Sequence, residues 1–424
     1  MNIVIRFFIL LLKFIIDAFG DILVKFGLRL EPLTFETVCK GLSKQAKSDL
    51  LQTEYAKNNF MVLIEHITSC DELPLTGHYF TRVWMIKLLE LRVRVQRCLK
   101  EDPSIYKVPL TRPVFFVTLM RTGSTFLHHL LSQDKNWRCP ELWELEDCAP
   151  PPGGQDDSRR IAESRLKWNI SSCLMGWKDV QKTHTFDPRN PEDLAFIGYL
   201  DGHFVGSSLL HRGMEGEFTD YFRNQSEKIQ DIYEENNRVR MQMICKNSDM
   251  TKRRLLAMHH TSPVHLRALL KAFPDAQIIT IHRDFVGQMK SSCELIRTIS
   301  RPTRRLFIKD NEGYGRRVLN SVYHDAEKLV KWRRDCNFES KDFQRFVDVH
   351  FKDLIKNPIE TVQQIYNQLD QELTTEAKEN MTKFLSNHKK SNAKAKYNIE
   401  EFGLTENQIR QKFKFYTDYF KVKT

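Results

Sequence analysis

Residues Pro113 to Ser132, PVFFVTLMRTGSTFLHHLLS, constrain this chain more than any other stretch. Val114 to Leu119 is a continuous apolar run rich in β-branched and aromatic residues, the pattern of a strand buried on both faces. Met120 to Thr125, MRTGST, is a turn with one glycine and three hydroxyls. Phe126 to Ser132 has helical spacing. Strand, glycine turn and helix start together make an anion site. The turn's N–H groups and the helix N-terminus point at one spot, and the dipole favours negative charge there. Arg121 adds a permanent cation with a bidentate donor set. Ser124 and Thr125 can cap the helix or donate to an anion's oxygens. An ordinary βα turn with a surface arginine would carry the same letters. A nucleoside-triphosphate P-loop fits worse, because G-x-x-x-x-G-K-[ST] needs a second glycine and a lysine.

The same logic recurs at Pro274 to Arg283, PDAQIITIHR. Ala276 to Ile281 reads as a buried parallel-type strand, and Asp284 to Leu295 as the helix after it. Arg283 falls at the carboxyl end of the strand, where open α/β sheets bind ligands. Ser291 follows two helical turns on. Phe346 to Phe351 is a third strand. The expected fold is therefore α/β: a P-loop-like central parallel sheet flanked by helices, with an N-terminal helical extension. Residues 1–30 read as an amphipathic helix, 31–110 as the helical extension and 111–424 as the α/β domain. Within these, Gln225 to Met243 reads as a long, mostly solvated helix and Thr405 to Phe420 as a terminal helix. Asn136 to Pro152 reads as a loop beside the turn.

A chain of 424 residues can bury one large domain of this kind or two smaller ones. The net charge of +11 suits an anionic ligand, an acidic acceptor or a membrane surface. No nucleic-acid-binding motif is present, and nucleic acid is not an expected partner. The cysteines include no C-x-x-C pair, and no metal-ligand spacing occurs. Arg82, Lys87, Arg92, Arg94, Arg97 and Lys100 share one predicted helix and read as a solvated face.

At the N-terminus, Ile3 to Ile16 is apolar except for Arg6 and Lys13, and Asp17 follows. At 100° per residue these three charges share one narrow stripe. The uninterrupted run Phe7 to Leu12 falls far short of the ~20 residues a membrane span needs. A helix lying in a membrane interface, a helix packed on the protein's own core and a short signal anchor all fit. Sequons at Asn169, Asn224 and Asn380 are compatible with a lumenal site. The expected location is intracellular, with the helix open to a membrane at the cytoplasmic face or in the Golgi.

RTGST followed by FLHHLLSQD resembles the 5′-phosphosulfate loop of sulfotransferases that use 3′-phosphoadenosine 5′-phosphosulfate (PAPS). The nearest subgroup carries R-[ST]-G-[ST]-T and a downstream Trp-Glu. The resemblance implies that Arg121, Thr122, Gly123, Ser124 and Thr125 hold the phosphosulfate. It implies that Arg283 and Ser291 hold the 3′-phosphate, which ATP lacks. Tyr397-Asn398-Ile399-Glu400-Glu401-Phe402-Gly403-Leu404 is similar to the family's carboxy-terminal segment. Lys394 and Lys396, just before it, are implied to close on the nucleotide. Where the family has Leu-Lys-Ser-Pro-x-His, this chain has His260-Thr261-Ser262-Pro263-Val264-His265. The family lysine is replaced by Thr261, and Lys246 and His260 are the residues at hand to compensate.

The implied reaction moves a sulfuryl group from PAPS to a hydroxyl or amine and releases 3′,5′-ADP. A hydroxyl acceptor must lose its proton as the S–O bond forms, so a base is needed. Glu144, in Leu142-Trp143-Glu144, matches the subgroup's Trp-Glu and is the first candidate. Glu141 is the rival, and either carboxylate could instead pair with Arg138. His184 resembles a family histidine near the acceptor and is the second kind of base. Arg121 is the expected catalytic cation. The acceptor can be a small molecule, a lipid or a glycan. An inactive nucleotide-binding membrane scaffold and a P-loop kinase are the rival readings.

Overall fold

The computed structural model describes residues 3–28, 31–50, 54–68, 73–203, 221, 224–260, 262–303, 310–335, 343–388 and 398–423. Five strands form one parallel sheet in the order β2-β3-β1-β4-β5. They are β1 (Val114–Phe116), β2 (Trp137–Arg138), β3 (Arg254–Met258), β4 (Gln277–His282) and β5 (Phe346–His350). β1 pairs Val114 with Leu256 of β3 on one side and with Gln277 of β4 on the other. β4 pairs Ile278 with Phe346 of β5.

β1 is shorter than the apolar run that announced it. Beyond Phe116 the Val117 N–H still donates to the Ile279 carbonyl at 3.1 Å. Then a side chain takes over. Thr118 Oγ1 donates to the Ile281 carbonyl at 3.0 Å and accepts from the Ile281 N–H at 3.3 Å. The hydroxyl stands in for a backbone group, so the main chain is released to enter the turn. β2 and β3 fall where the sequence reading had a loop and no strand. β2 is two residues long, and the RLLAM of β3 contains no β-branched residue, so neither carries the usual strand pattern.

Alternate side chains of the strands face opposite layers. Phe115 and Ile278 join a core with Leu63, Ile64, Leu88 and Leu89 of the helices before the sheet. Val114, Phe116, Ile279 and Ile281 pack against Leu127, Leu130 and Leu131 of the helix after the turn and against Tyr366. The helices used below are α1 (Ile3–Lys25), α2 (Leu75–Glu101), α3 (Ser124–Leu131), α4 (Glu227–Cys245), α5 (Phe285–Ile299) and α6 (Asn311–Asp335).

Two readings of charged helices are corrected. α4 is not mostly solvated, since Tyr233, Glu234, Asn237, Arg240 and Met241 are buried. Arg92 of α2 is buried too, rather than part of a solvated basic face. Both arginines converge on Asp201. Arg240 donates two parallel bonds, at 2.9 and 2.8 Å, and Arg92 pairs with the same carboxylate. Buried charge is tolerated because it is paired and hydrogen-bonded. The terminal helix is also two helices, Glu406–Lys412 and Lys414–Tyr419. Phe413 breaks it and stacks on Phe285 of α5 at 4.0 Å.

Two buried imidazoles make stability depend on pH. Burial pushes His128 down to about 3 and His265 down to about 4, from an ordinary 6.5. The unfolded chain therefore binds protons at these sites that the folded chain refuses, so folding is favoured as pH rises through this window. The stability is complete above pH 6.5 and is lost as pH falls toward 4. His259, raised by Glu234 against the opposing effect of burial, offsets part of this. The urea midpoint should drop by a few kcal/mol equivalent between neutral pH and about pH 5. A midpoint flat over that range would contradict the assignment.

Candidate active site

The turn after β1 is built by its own hydroxyls. Thr122 Oγ1 donates to the Leu119 carbonyl at 2.9 Å and lies 2.9 Å from Thr118 Oγ1. Thr122 is buried, so its hydroxyl is committed to the turn. Arg121 and Gly123 both take positive φ, 62° and 102°. For the arginine that backbone costs about 1 kcal/mol or more, strain of the kind held at functional sites. At Gly123 no other residue fits, since a Cβ would stand 2.7 Å from the Phe351 ring. Gly123 is the N-cap of α3 and supplies no side-chain cap. The N–H groups of the first turn are thus left for another acceptor, and Ser124 begins the helix rather than capping it.

After β1 the chain crosses to β2 at one edge of the sheet, and after β4 it continues to β5 at the other. The crevice between the carboxyl ends of β1 and β4 is the switch point where such sheets bind ligands. Arg121 and Arg283 meet there. Arg283 Nη1 donates to the Arg121 carbonyl at 2.9 Å. Arg121 Nε donates to Ser291 Oγ at 2.9 Å, and its Nη2 donates to the Thr183 carbonyl at 2.8 Å. The Arg283 guanidinium also lies 4.4 Å above the Phe351 ring, the ring that Gly123 must clear. Burial pushes Arg283 below the ordinary arginine value. Among the described residues it makes no ion pair. A desolvated cation, offset only in part by the neighbouring Asp284, is stabilised by an incoming anion.

Two imidazoles flank the turn, each backed by one of two consecutive acids. His260 Nε2 lies 3.1 Å from Ser124 Oγ, and its Nδ1 is ion-paired with Asp193. Burial opposes ionisation of Asp193, yet His260 holds it below the ordinary carboxylate range. His184 follows the carbonyl that Arg121 grips, and its Nε2 lies 2.8 Å from Glu192 Oε2. Glu192 likewise stays below its ordinary value against burial, through His184. Glu192, Asp193 and the contact of His260 with Ser124 were not foreseen. Pro191-Glu192-Asp193 has the composition of a helix's first turn, so neither acid points to an imidazole. The Asp193–His260 pair spans 67 residues, so no local pattern announces it.

The expected carboxylates sit differently. Glu144 is 5 % exposed, and Arg138 engages both its oxygens, at 2.9 and 2.5 Å. The Glu141 N–H donates to Glu144 Oε2 at 2.8 Å, completing a capping box on the short Leu142–Glu146 helix. Glu141 is partly open. Burial pushes its carboxyl up, against a bond from Trp143 Nε1 at 2.7 Å. Glu141 and Glu144 line a polar cavity of about 690 Å³ with Arg138, Arg189 and Asn247. None of the turn residues 120–125 lines that cavity, and the anion crevice is the better guide to the chemistry. Lys246 pairs with Asp102 at 3.1 Å, away from the turn. Lys394, Lys396 and Thr261 lie outside the described residues. Among the described residues no cluster suits a metal ion.

The sequence matches the model of the sulfotransferase family over residues 113–375. No curated protein matches it. Among solved structures, the fold resembles sulfotransferase STF9 from Mycobacterium avium at a TM-score of 0.78 and 20% identity, covering 92% of this chain and 97% of that one. Sulfotransferase STF1 from Mycobacterium tuberculosis H37Rv gives 0.71 at 21% identity, covering 91% and 99%. These structural likenesses speak for the fold, while the family match embraces both βα units that form the crevice. The chain belongs to the sulfotransferase family.

Proposed function

We propose that the protein transfers a sulfuryl group from PAPS to a hydroxyl or amine of a small-molecule, lipid or glycan acceptor, releasing 3′,5′-ADP. The observation that carries this reading is the direct contact of Arg283 with Arg121, and of Arg121 with Ser291. Two anion-binding units are thereby close enough to serve one ligand with phosphate groups at two ends. Arg283 and Ser291 take the 3′-phosphate. The α3 N-terminus, Arg121 and Ser124 take the phosphosulfate.

In the transfer, the bond from sulfur to the phosphate oxygen breaks as the bond to the acceptor oxygen forms, through a loose transition state. Arg121 and the open N–H groups stabilise charge growing on the leaving oxygens. His260, backed by Asp193, orients the Ser124 hydroxyl toward those oxygens from beside the position where the family lysine is replaced. His184 is the base that takes the acceptor proton. Glu192 orients its ring and stabilises the imidazolium that forms. Glu144 serves the structure, because both of its oxygens are already taken.

The test is calorimetric binding of 3′,5′-ADP and ATP, followed by transfer of labelled sulfate from PAPS to a panel of alcohols and amines. The 3′,5′-ADP should bind at least tenfold tighter than ATP, the worth of about one charge-assisted contact. Equal or reversed preference would point to a kinase-like site. Tight binding without transfer would support the inactive scaffold. Arg283→Ala should raise KM for PAPS about 10- to 100-fold and remove the preference for 3′,5′-ADP, with a smaller effect on kcat. An unchanged KM would remove Arg283 from the 3′-phosphate site.

A further inference from the structure

Helix α1 is attached to the protein inside out. Its charged stripe faces inward, as a chain of contacts. The Arg6 guanidinium lies 4.0 Å over the Trp177 ring. Lys13 Nζ donates to Asp17 at 2.8 Å and to Thr76 Oγ1 at 2.7 Å. The Thr76 N–H and hydroxyl both donate to Asp17 Oδ1, at 2.9 and 2.7 Å. Gly20 closes the contact, since a Cβ there would stand 2.7 Å from that of Leu75. Lys13 is 3 % exposed and Asp17 7 %. The opposite surface is apolar: Phe7, Phe8, Leu12, Ile15, Phe19 and Ile22 are each between 49 and 64 % exposed. A helix packed on a water-soluble body shows the reverse order.

The shape of the apolar surface selects its occupant. At 100° per residue these positions, together with the likewise exposed Ile3, Ile5 and Phe14, sweep an arc of roughly 200°. A partner helix covers a stripe of about 100°, so a second copy of the chain would leave much of the arc in water. A lipid phase wets all of it. The helix is ~35 Å long and is tied down from Arg6 to Gly20. It therefore lies along the surface, and no helix among the described residues is long and apolar enough to cross a membrane. Tyr79 and Phe80, 62 and 38 % exposed, flank the Thr76 clip at the start of α2. Aromatic residues settle at the boundary between lipid and water. The net charge of +11 complements an anionic bilayer.

We propose that α1 is a monotopic docking element, its apolar arc sunk into one leaflet of an anionic bilayer while its polar stripe clamps the folded domain. This goes beyond the transfer reaction and does not depend on it. The test is flotation of the full chain with phosphatidylcholine vesicles containing phosphatidylserine, alongside sedimentation in lipid-free buffer. The parent protein should float. The triple change Phe7→Ser, Phe8→Ser, Leu12→Ser should cut the vesicle-bound fraction at least about tenfold while leaving the melting temperature unchanged, because those side chains hold nothing inside. Asp17→Ala, which loosens the clamp, should still float but expose α1 to protease. A parent that fails to float, or a triple variant that floats equally well, overturns the proposal. So does a lipid-free dimer that the triple variant converts to monomer, which would assign the arc to a second copy.

Discussion

Arg121→Ala is expected to lower kcat by 10²- to 10³-fold or more while the protein remains folded. The magnitude follows from removing a preorganised donor aimed at developing oxyanion charge, worth about 3 to 4 kcal/mol of transition-state stabilisation. Binding of 3′,5′-ADP should suffer much less, because that product carries no sulfuryl group and keeps the contacts proposed to Arg283 and Ser291. The backbone argument sharpens the test. Arg121 holds φ at 62°, so Arg121→Gly removes both the guanidinium and the strain. Glycine adopts this conformation freely, and the relief offsets the lost bonds to Ser291 and the Thr183 carbonyl. The glycine variant should unfold within about 1 kcal/mol of the parent and be as inactive as the alanine variant. Single-turnover transfer together with a urea titration reads both quantities. An active Arg121→Gly protein would show that the turn's N–H groups and hydroxyls do the chemistry without the cation.

The parts of this site that the sequence made legible are those written in contiguous residues. A buried strand, a glycine turn and an arginine at the strand's end occupy a few neighbouring positions, so both βα units and the residues Arg121, Gly123, Arg283 and Ser291 could be placed before any coordinates. The charge stripe of Arg6, Lys13 and Asp17 was legible for the same reason, since helical geometry fixes it. Its inward orientation was not, because that depends on Thr76 and Trp177 far along the chain. β3 was missed because leucine, alanine and methionine favour no strand on their own, and it exists through its neighbours β1 and β2. Buried charges such as Arg92 and Arg240 read as solvent-facing because their partner, Asp201, sits in a distant segment. His260 is the most instructive case. In the sequence it stands beside a replaced lysine. In the fold it reaches Ser124 through the turn and Asp193 through a bridge between Asp193 and Met258.

Glu144 and His184 divide the remaining question between them. Glu144→Gln takes away half of a buried ion pair and leaves Arg138 desolvated, which costs about 3 to 5 kcal/mol. The variant should melt markedly lower, and its folded fraction should turn over within a few-fold of the parent. His184→Ala should be set apart by its activity. It also leaves a buried partner unpaired, the Glu192 carboxylate, so its melting temperature should fall as well. Loss of a general base costs ~10²- to 10⁴-fold in kcat/KM. Glu192→Gln should then fall between, slowing the reaction by mispositioning the ring. If instead Glu144→Gln proved stable and inactive while His184→Ala kept its rate, the proton would have to leave through the carboxylate. Arg138 would then have to release that carboxylate during turnover, because in the resting fold it occupies both oxygens.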